Sequence, residues 1–457
     1  MNDISGIVAR QRAYFETGKT LPVAARRDAL DRLRRSILAH EDKIHEALRR
    51  DLGKSASEAY MCETGMVLAE LSYVRRHMAG WARSRRVPTP LAQFPSQSFT
   101  VRNPYGVVLI MAPWNYPFML TMEPLIGTLA AGNCCVLKPS AYAPATSAVI
   151  REVVRACFPE ELVAVVEGGR EENRALLSER FDYIFFTGSV QMGREVMRRA
   201  AEHLTPVSLE LGGKSPCVVD ATAKLDLAAR RIAFGKLLNC GQTCVAPDYV
   251  LVDRRVKDEL IACLVRHLTE MTGGDALACG DYVHMISRRH YDRVMGLIDP
   301  AKVVFGGRGD EATLRIEPTV MDNVTGEDAV MQEEIFGPVL PIIAYDSPED
   351  AMRFINSRPH PLALYLFSED TAAQRRFADS VPYGGGCIND VIIHLATSRM
   401  GFGGVGESGM GSYHGKRSFD TFSHEKSIVK KSTLLDLPMR YMPYGRVKDA
   451  FVRLFLR

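Results

Sequence analysis

From Gly106 onward, short β-rich runs (GVVLIMA, CCVLK, LVAVVE, YIFFTG and PVSLEL) alternate with helical patterns such as Ala145 to Cys157 and Gly193 to Ala201. No feature of the chain constrains its fold more. Strands separated by helices cannot be joined by hairpins, so the pattern predicts a doubly wound parallel sheet with helices on both faces. After Gly213 the alternation restarts with CVVD, YVLVD, KVVFGG, VLPIIAY and LALYLF, separated by helical segments that include Pro348 to Asn356 and Thr371 to Asp379. Two doubly wound, Rossmann-like α/β domains are expected. A length of 457 residues agrees, because one core stops growing at about 250 to 300 residues. No repeat of roughly 20 to 50 residues is visible, which excludes a solenoid or propeller.

The flanking segments read differently. Between Ala24 and Trp81 the residues Leu30, Leu33, Ile37, Ile44 and Leu48 recur near helical spacing among Arg and Glu, the mark of amphipathic helices covering a sheet. Arg86 to Asn103 carries Pro88, Pro90 and Pro95 between short alternating stretches, which suits an extended arm. The uncharged window from Asn103 to Met122 holds Pro104, Pro113 and Pro117 and reads as a strand, a loop and a helix start rather than a membrane span. Val447, Ala450, Phe451, Leu454 and Phe455 share one helical face, with Arg446, Lys448, Arg453 and Arg457 around the rest. That short basic amphipathic helix is expected to rest on the body or a second subunit, with a membrane surface as the alternative.

Lys plus Arg total 57 against 54 for Asp plus Glu, so no global field attracts nucleic acid. Ten cysteines are too sparse for a disulfide scaffold, and Met1 leads into polar residues with no apolar signal segment. A cytoplasmic location, with peripheral membrane contact as a variant, is the expectation. The histidines form no H-x-x-H pair and the C-x-x-x-C at Cys240 and Cys244 has no partner pair, so no metal is expected.

Several segments carry chemically capable residues. Cys244, in GQTCVAPDYVL, falls between a helical pattern and a β-rich run, where a thiol can face a cleft; attack needs the thiolate, hence a base or positive environment nearby. An isolated cysteine is more often core. Glu210, in SLELGGKSP, ends a strand where doubly wound folds bind ligands, and burial would bring its pKa toward a general base's working range. Pairing with Lys214 is its ordinary alternative. Asn115, in APWNYP, is held between prolines and an aromatic, which suits a preorganised oxyanion donor as well as a self-satisfied turn. FFTGSVQMG places Gly188 and Gly193 at a strand-to-helix junction able to receive phosphate, without the GxGxxG spacing, and Lys138 in LKPS could reach ribose or phosphate.

Taken in order, APWNYP, LKPS, FFTGS, LELGGKSP, GQTCVAPDYVL, MQEEIFGP, RPHPLALYLFSED, GGGCIND and GGVGESGMGSYHGKRSFDTFSH resemble the aldehyde dehydrogenase superfamily, in particular its class-three branch of fatty and aromatic aldehyde dehydrogenases. The resemblance spans nearly the whole chain. It implies NAD(P)-dependent oxidation of an aliphatic medium- or long-chain or an aromatic aldehyde to the acid. In that scheme Cys244 is the nucleophile, Asn115 and the Cys244 backbone N–H hold the oxyanion, and Glu210 activates the water that hydrolyses a thioester. It further implies cofactor contacts from Lys138, Gly188, Ser189, Gly193, Glu334 and Phe336. The implied domains are residues 1–85 with 104–209 for cofactor, 210–400 for catalysis, 86–103 with 418–431 as a bridging arm in a homodimer, and a tail at 432–457. The rival readings are a non-catalytic binding protein on this fold and a CoA-acylating dehydrogenase.

Three positions depart from or extend the family pattern. Many relatives have an acidic residue after LKPS, where this chain has Ala141; with no carboxylate to repel a 2′-phosphate, NAD and NADP are both expected to serve. Cys240 stands four residues before Cys244, as a packing residue or as a redox partner. His414 matches a stretch near the family's active-site mouth without an assigned role.

Overall fold

The computed structural model describes residues 3–456; Met1 and Arg457, both invoked above, lie outside the described residues. Two parallel sheets form its frame. In the first, neighbouring strands run Val163–Val165, Cys134–Lys138, Val107–Met111, Tyr183–Thr187 and Val207–Glu210, all parallel. Val107–Met111 and Cys134–Lys138 are buried at every residue, which is why they read as unbroken apolar runs. Chain order reverses between Val107–Met111 and Tyr183–Thr187, so a crevice opens beyond their carboxyl ends. APWNYP, Gly188 and Glu210 all follow or end strands at that edge.

The second sheet runs Val303–Phe305, Thr319–Met321, Val339–Tyr345, Tyr249–Asp253, Pro216–Val219, Ala363–Phe367 and Gly385–Ile388. It is parallel except for its first strand: Val303–Phe305 is not a crossover strand, as the alternation implies, but pairs antiparallel with Thr319–Met321 at the edge. Thr319–Met321 and Gly385–Ile388 escape the sequence pattern because one is three residues long and the other begins with two glycines.

Around the sheets, Val23–Ala39, Glu41–Leu52 and Gly65–Trp81 are the foreseen amphipathic helices. A helix at Ile4–Glu16, which the apolar pattern does not announce, is pinned where Gln11 Nε2 donates to the Cys135 carbonyl at 2.8 Å. The window at Asn103 does contain a strand, a loop and a helix, Met119–Ala131, buried along its whole length. The arm is a three-stranded sheet in which Ser96–Pro104 pairs with Ser423–Lys431 over nine residues and with Arg85–Val87 on its other edge. Residues 418–421 belong instead to a helix, Gly415–Thr421, packed on Met119–Ala131 and Gly65–Trp81. Gly409–Met410 pairs antiparallel with Leu209 and Glu210, returning a late glycine-rich segment to the first sheet. The C-terminal helix is Arg446–Phe455, with Val447, Phe451 and Leu454 exposed. Among the described residues no helix is long and apolar enough to cross a membrane.

Candidate active site

The chain reaches Cys244 through an unusual turn. Asn239, Cys240 and Gly241 all adopt positive φ (51°, 54° and 69°), a left-handed run that side chains with a Cβ resist. At Gly241 a Cβ would also stand 2.3 Å from the Gly337 carbonyl, so only glycine fits. Such a run persists only where its surroundings over-determine it. Glu58 accepts the Asn239 N–H at 2.9 Å, and Gln242 Nε2 donates to the carbonyls of Asn239 and His284, both at 3.1 Å. Downstream, the Tyr365 hydroxyl donates to the Val245 carbonyl at 2.5 Å, and Asp248 accepts the Ile335 N–H at 3.0 Å and Lys214 Nζ at 2.5 Å. Lys214 therefore pairs with Asp248 rather than with Glu210.

Asn115 lies against this turn. Its Nδ2 donates to the Gln242 carbonyl at 3.0 Å, which fixes the amide plane and leaves the second N–H available. Its own carbonyl accepts Asn239 Nδ2 at 2.8 Å and Lys54 Nζ at 3.0 Å. Lys54 is fully buried, paired with the equally buried Glu63 at 2.6 Å, and sits 4.1 Å above the Tyr116 ring. The other Glu63 oxygen accepts the N–H groups of Phe118 and Met119 at the start of the buried helix. A salt bridge in the core thus holds the APWNYP turn from both sides. In the sequence Lys54, Glu63 and Asn239 carry no sign of a role, and Gln242 stands out only within the motif GQTCVAPDYVL.

Glu210 ends its strand with both carboxylate oxygens buried and without a hydrogen-bond partner. Burial, with no cation to offset it, holds its pKa well above the usual carboxylate range. Gly403 packs against it so closely that a Cβ there would stand 3.2 Å from Oε1.

The thiol does not find the positive environment expected of it. Burial, and then the carboxylates of Glu334 and Glu210, push the Cys244 pKa upward. Iodoacetamide alkylation of Cys244 in cofactor-free protein is therefore expected to keep accelerating as pH rises through 9.0, the thiol's ordinary value. A rate that levels off near neutrality would reveal a cation that these contacts do not include.

Two cavities flank the junction of the domains. One is a tunnel of about 150 Å³ with Cys244 on its wall, lined otherwise by apolar side chains such as Met66, Tyr116, Leu120, Ile392, Leu395 and Phe402. Two of its polar groups engage each other: the Tyr116 hydroxyl and Thr243 Oγ1 are 2.7 Å apart. The other is a cleft of about 1200 Å³. It is lined by Ser189 and Glu334 together with Arg170, Arg174, Arg194, Arg198, Arg199, Arg289 and Arg358. Ser189 caps the helix Val190–Ala201, accepting the Met192 N–H, so the helix start meets the cleft. Glu334 Oε1 is buried without a partner, and burial followed by Asp248 raises its pKa to about 8. At Gly212 a Cβ would overlap Glu334 Oε2, so the backbone there keeps a close approach open. A helix start, an orphaned carboxylate and a wall of guanidinium groups fit an anionic dinucleotide.

The remaining expected cofactor residues do not line the cleft. Gly188 donates its N–H to the Glu210 carbonyl at 3.0 Å, and Gly193 lets the helix close on Leu211, whose Cδ2 would stand 2.6 Å from a Cβ. Lys138 Nζ turns back to the Pro139 carbonyl at 2.8 Å, and burial lowers its pKa to about 8. Phe336, at φ 49°, packs edge-on against Trp114 with ring centres 5.3 Å apart.

Cys240 behaves as a packing residue. It is fully buried, its thiol donates to the Tyr282 hydroxyl at 3.3 Å, and burial pushes it up to about 12. Cys240 and Cys244 carry free thiols and pack in different apolar clusters, Cys240 within one and Cys244 at the edge of another that spans both sheets. His414 lines the tunnel at φ 79°, with Nε2 3.1 Å from the buried Glu123 and its ring stacked on Phe402.

Comparison with known proteins agrees with this geometry. Residues 1–428 match the sequence profile of the aldehyde dehydrogenase family. The chain is 46% identical over its whole length, and the whole of the relative, to a 4,4'-diaponeurosporen-aldehyde dehydrogenase of Staphylococcus aureus. It is 45% identical, over 97% of its length and 98% of the relative, to a dimeric NADP-preferring aldehyde dehydrogenase of Canis lupus familiaris. A solved structure described as the substrate-bound state of Staphylococcus aureus AldH superposes with a TM-score of 0.98 at 46% identity, covering all of both chains. The chain belongs to the aldehyde dehydrogenase family and is an aldehyde-oxidising enzyme.

Proposed function

We propose that this enzyme oxidises unbranched or aromatic apolar aldehydes to carboxylic acids through a thioester on Cys244. The observation that carries the reading is the tunnel, which brings an almost wholly apolar passage to one thiol. The Cys244 thiol gives up its proton to solvent as its sulfur adds to the carbonyl carbon, and the oxyanion is held by the free Asn115 N–H and the Cys244 backbone N–H. A nicotinamide dinucleotide held in the cleft by Ser189 and Glu334 would supply the hydride acceptor that takes the Cys244 adduct to a thioester. Glu210 then takes a proton from water, which attacks the thioester carbonyl; the acid leaves and the thiol is restored. Burial matches Glu210 to this work by raising its pKa toward neutrality.

Glu210→Gln is expected to lower kcat by about 10²- to 10⁴-fold while preserving one rapid equivalent of NAD(P)H per site, because only deacylation loses its base. In the native enzyme kcat should rise with pH along a limb above the ordinary carboxylate range, since the ionised form is the base. The sign on stability is opposite. A carboxyl whose folded pKa is raised ionises more readily in the unfolded chain above its ordinary pKa of 4.5, so the variant should melt no lower than the native protein at neutral pH. Product analysis with and without coenzyme A tests the rival acyl acceptor: an acyl-CoA product would overturn hydrolysis.

We infer that both NAD and NADP serve. Ala141 offers no carboxylate beside Tyr142, which lines the cleft, and among the described residues Arg170, Arg174 and Arg289 of that cleft have no ion-pair partner. The canine relative's NADP preference is in keeping with this. The ratio of kcat/KM for the two cofactors is expected to stay within about a hundredfold, some 2.7 kcal/mol; a stronger preference for NAD would overturn it. We further infer a homodimer built on the edge of Ser423–Lys431, a nine-residue strand paired on one side only. The C-terminal helix is inferred to cover its exposed apolar face on that partner rather than on lipid, in a cytoplasmic protein.

A further inference from the structure

His414 belongs to a group of buried titratable side chains that the chemistry at Cys244 does not use. Its Nε2 lies 3.1 Å from Glu123 Oε2, and among the described residues neither atom has another polar partner. Glu70, on the helix Gly65–Trp81, completes the group, its Oε1 accepting the Gly415 N–H at 2.6 Å. His414, Glu123 and Glu70 are all buried. Two carboxyl groups in such a space repel each other unless a cation joins them, and the imidazole supplies it. Burial opposes a charge on His414, but Glu123 and then Glu70 outweigh it and hold its pKa above the ordinary 6.5. Burial, and then Glu123, raise the Glu70 pKa. His394 stays neutral, since burial and then the charge on His414 lower its pKa to about 4.

The segment that packs on this group is strained. Ile392 has φ 65° and ψ −43°, and the Ile393 N–H donates to the Val391 carbonyl at 2.6 Å, a tight γ-turn that a β-branched residue resists. Such a turn persists only where its surroundings hold it. Here the charged group does so. The Leu395 carbonyl favours the protonated imidazole, and Ser398 favours ionised Glu70. A Cβ on Gly415 would overlap the Ser398 carbonyl, so the segment closes directly on the turn behind His414. Ile392, Leu395 and Ala396 of this segment line the same tunnel as Cys244.

We propose that His414 is a positioning residue, which with Glu123 and Glu70 forms a charged clamp that fixes residues 392–398 beside Cys244. The proposal rests on the functional reading above and adds the group that keeps the reaction site in shape. The imidazolium's contribution is complete below its ordinary value of 6.5 and is lost as pH rises through the higher folded value. Once the charge is gone the carboxyl groups face each other without a cation and the γ-turn loses its hold. Aldehyde then meets a loosened wall, so KM rises while the bond-making step at Cys244 is spared.

Two measurements from about pH 6 to about pH 10, a range that brackets a raised imidazole, test the clamp. One is amide hydrogen exchange of residues 391–398, corrected for its intrinsic pH dependence; the other is KM and kcat with hexanal. In native enzyme exchange and KM are expected to rise with a shared midpoint, KM by about tenfold, while kcat follows only the Glu210 limb. Glu123→Gln should move that midpoint to lower pH, because the first of the two anions facing the imidazolium is gone. A purely packing role for His414 would not move it. His414→Gln should show fast exchange and high KM at every pH, with kcat at neutral pH within about threefold of native. The native series and Glu123→Gln decide the matter even if His414→Gln does not fold. Exchange and KM that stay flat in native enzyme, or a midpoint that Glu123→Gln leaves in place, would overturn the clamp. If native enzyme oxidises no aldehyde, it is the functional reading that falls, and exchange still reports on the clamp.

Discussion

Cys244→Ala is expected to abolish aldehyde oxidation, lowering kcat/KM by 10⁴-fold or more, on the order seen when an enzyme loses its nucleophile. A dinucleotide should still bind, because the cleft residues are untouched. The control that gives this result meaning is Cys62, which also lines the tunnel. Burial raises its thiol as it raises that of Cys244, so protonation does not distinguish the two, and position must. Cys62 sits on the π turn Tyr60–Thr64, whereas Asn115 Nδ2 is bound to the Gln242 carbonyl in the loop that carries Cys244. Cys62→Ala is therefore expected to retain activity within about threefold. Steady-state rates of the two variants and their equilibrium binding of NADP settle the assignment, and an active Cys244→Ala would refute it.

The largest effect on stability is expected from Lys54→Met. Removing one member of a buried ion pair leaves the other as an uncompensated charge, which costs about 3 to 5 kcal/mol. Here the stranded group is Glu63, whose pKa burial already raises despite the ammonium beside it. Without Lys54 that pKa goes higher still. Since the unfolded carboxyl ionises near its ordinary value of 4.5, the deficit should be small in acid and grow as pH rises above that value. Near neutrality a Tm lower by about 3 to 5 °C is expected. Adding Glu63→Gln removes the stranded charge and should recover much of the loss. Activity should not recover with it, because the Asn115 carbonyl still lacks the ammonium that holds its turn. A kcat about tenfold below native in a double variant of near-native Tm would separate positioning from folding. If the double variant regains full activity, Lys54 serves stability alone.

The frame was legible in the chain for a simple reason. Parallel strands covered on both faces must be apolar throughout, so GVVLIMA and CCVLK announce themselves, and helices between them compel crossovers. Thr319–Met321 did not announce itself because three residues carry no period, nor did Gly385–Ile388, whose glycines lack the side chains by which strands are recognised. Among the site residues, Asn115, Glu210 and Cys244 could be picked out because each follows or ends a predicted element at the edge where such sheets bind ligands. Their environment could not. That Cys244 is flanked by carboxylates and not by cations depends on Glu334, ninety residues away in the chain.

What the sequence by itself determined is therefore the order of elements and the two doubly wound sheets, set by local pattern, and it singled out three candidate reactive groups by their resemblance to family motifs. Tertiary structure alone decided how those groups are held. The Lys54–Glu63 pair, the left-handed turn at Asn239, Cys240 and Gly241, and the packing of Gly403 on Glu210 join segments far apart in the chain. Burial and hydrogen-bond satisfaction are properties of such assembled neighbourhoods, and they set the protonation of every titratable group in the site. The tunnel that brings apolar side chains to Cys244 has the same origin: it is the space left between elements, which no residue encodes on its own.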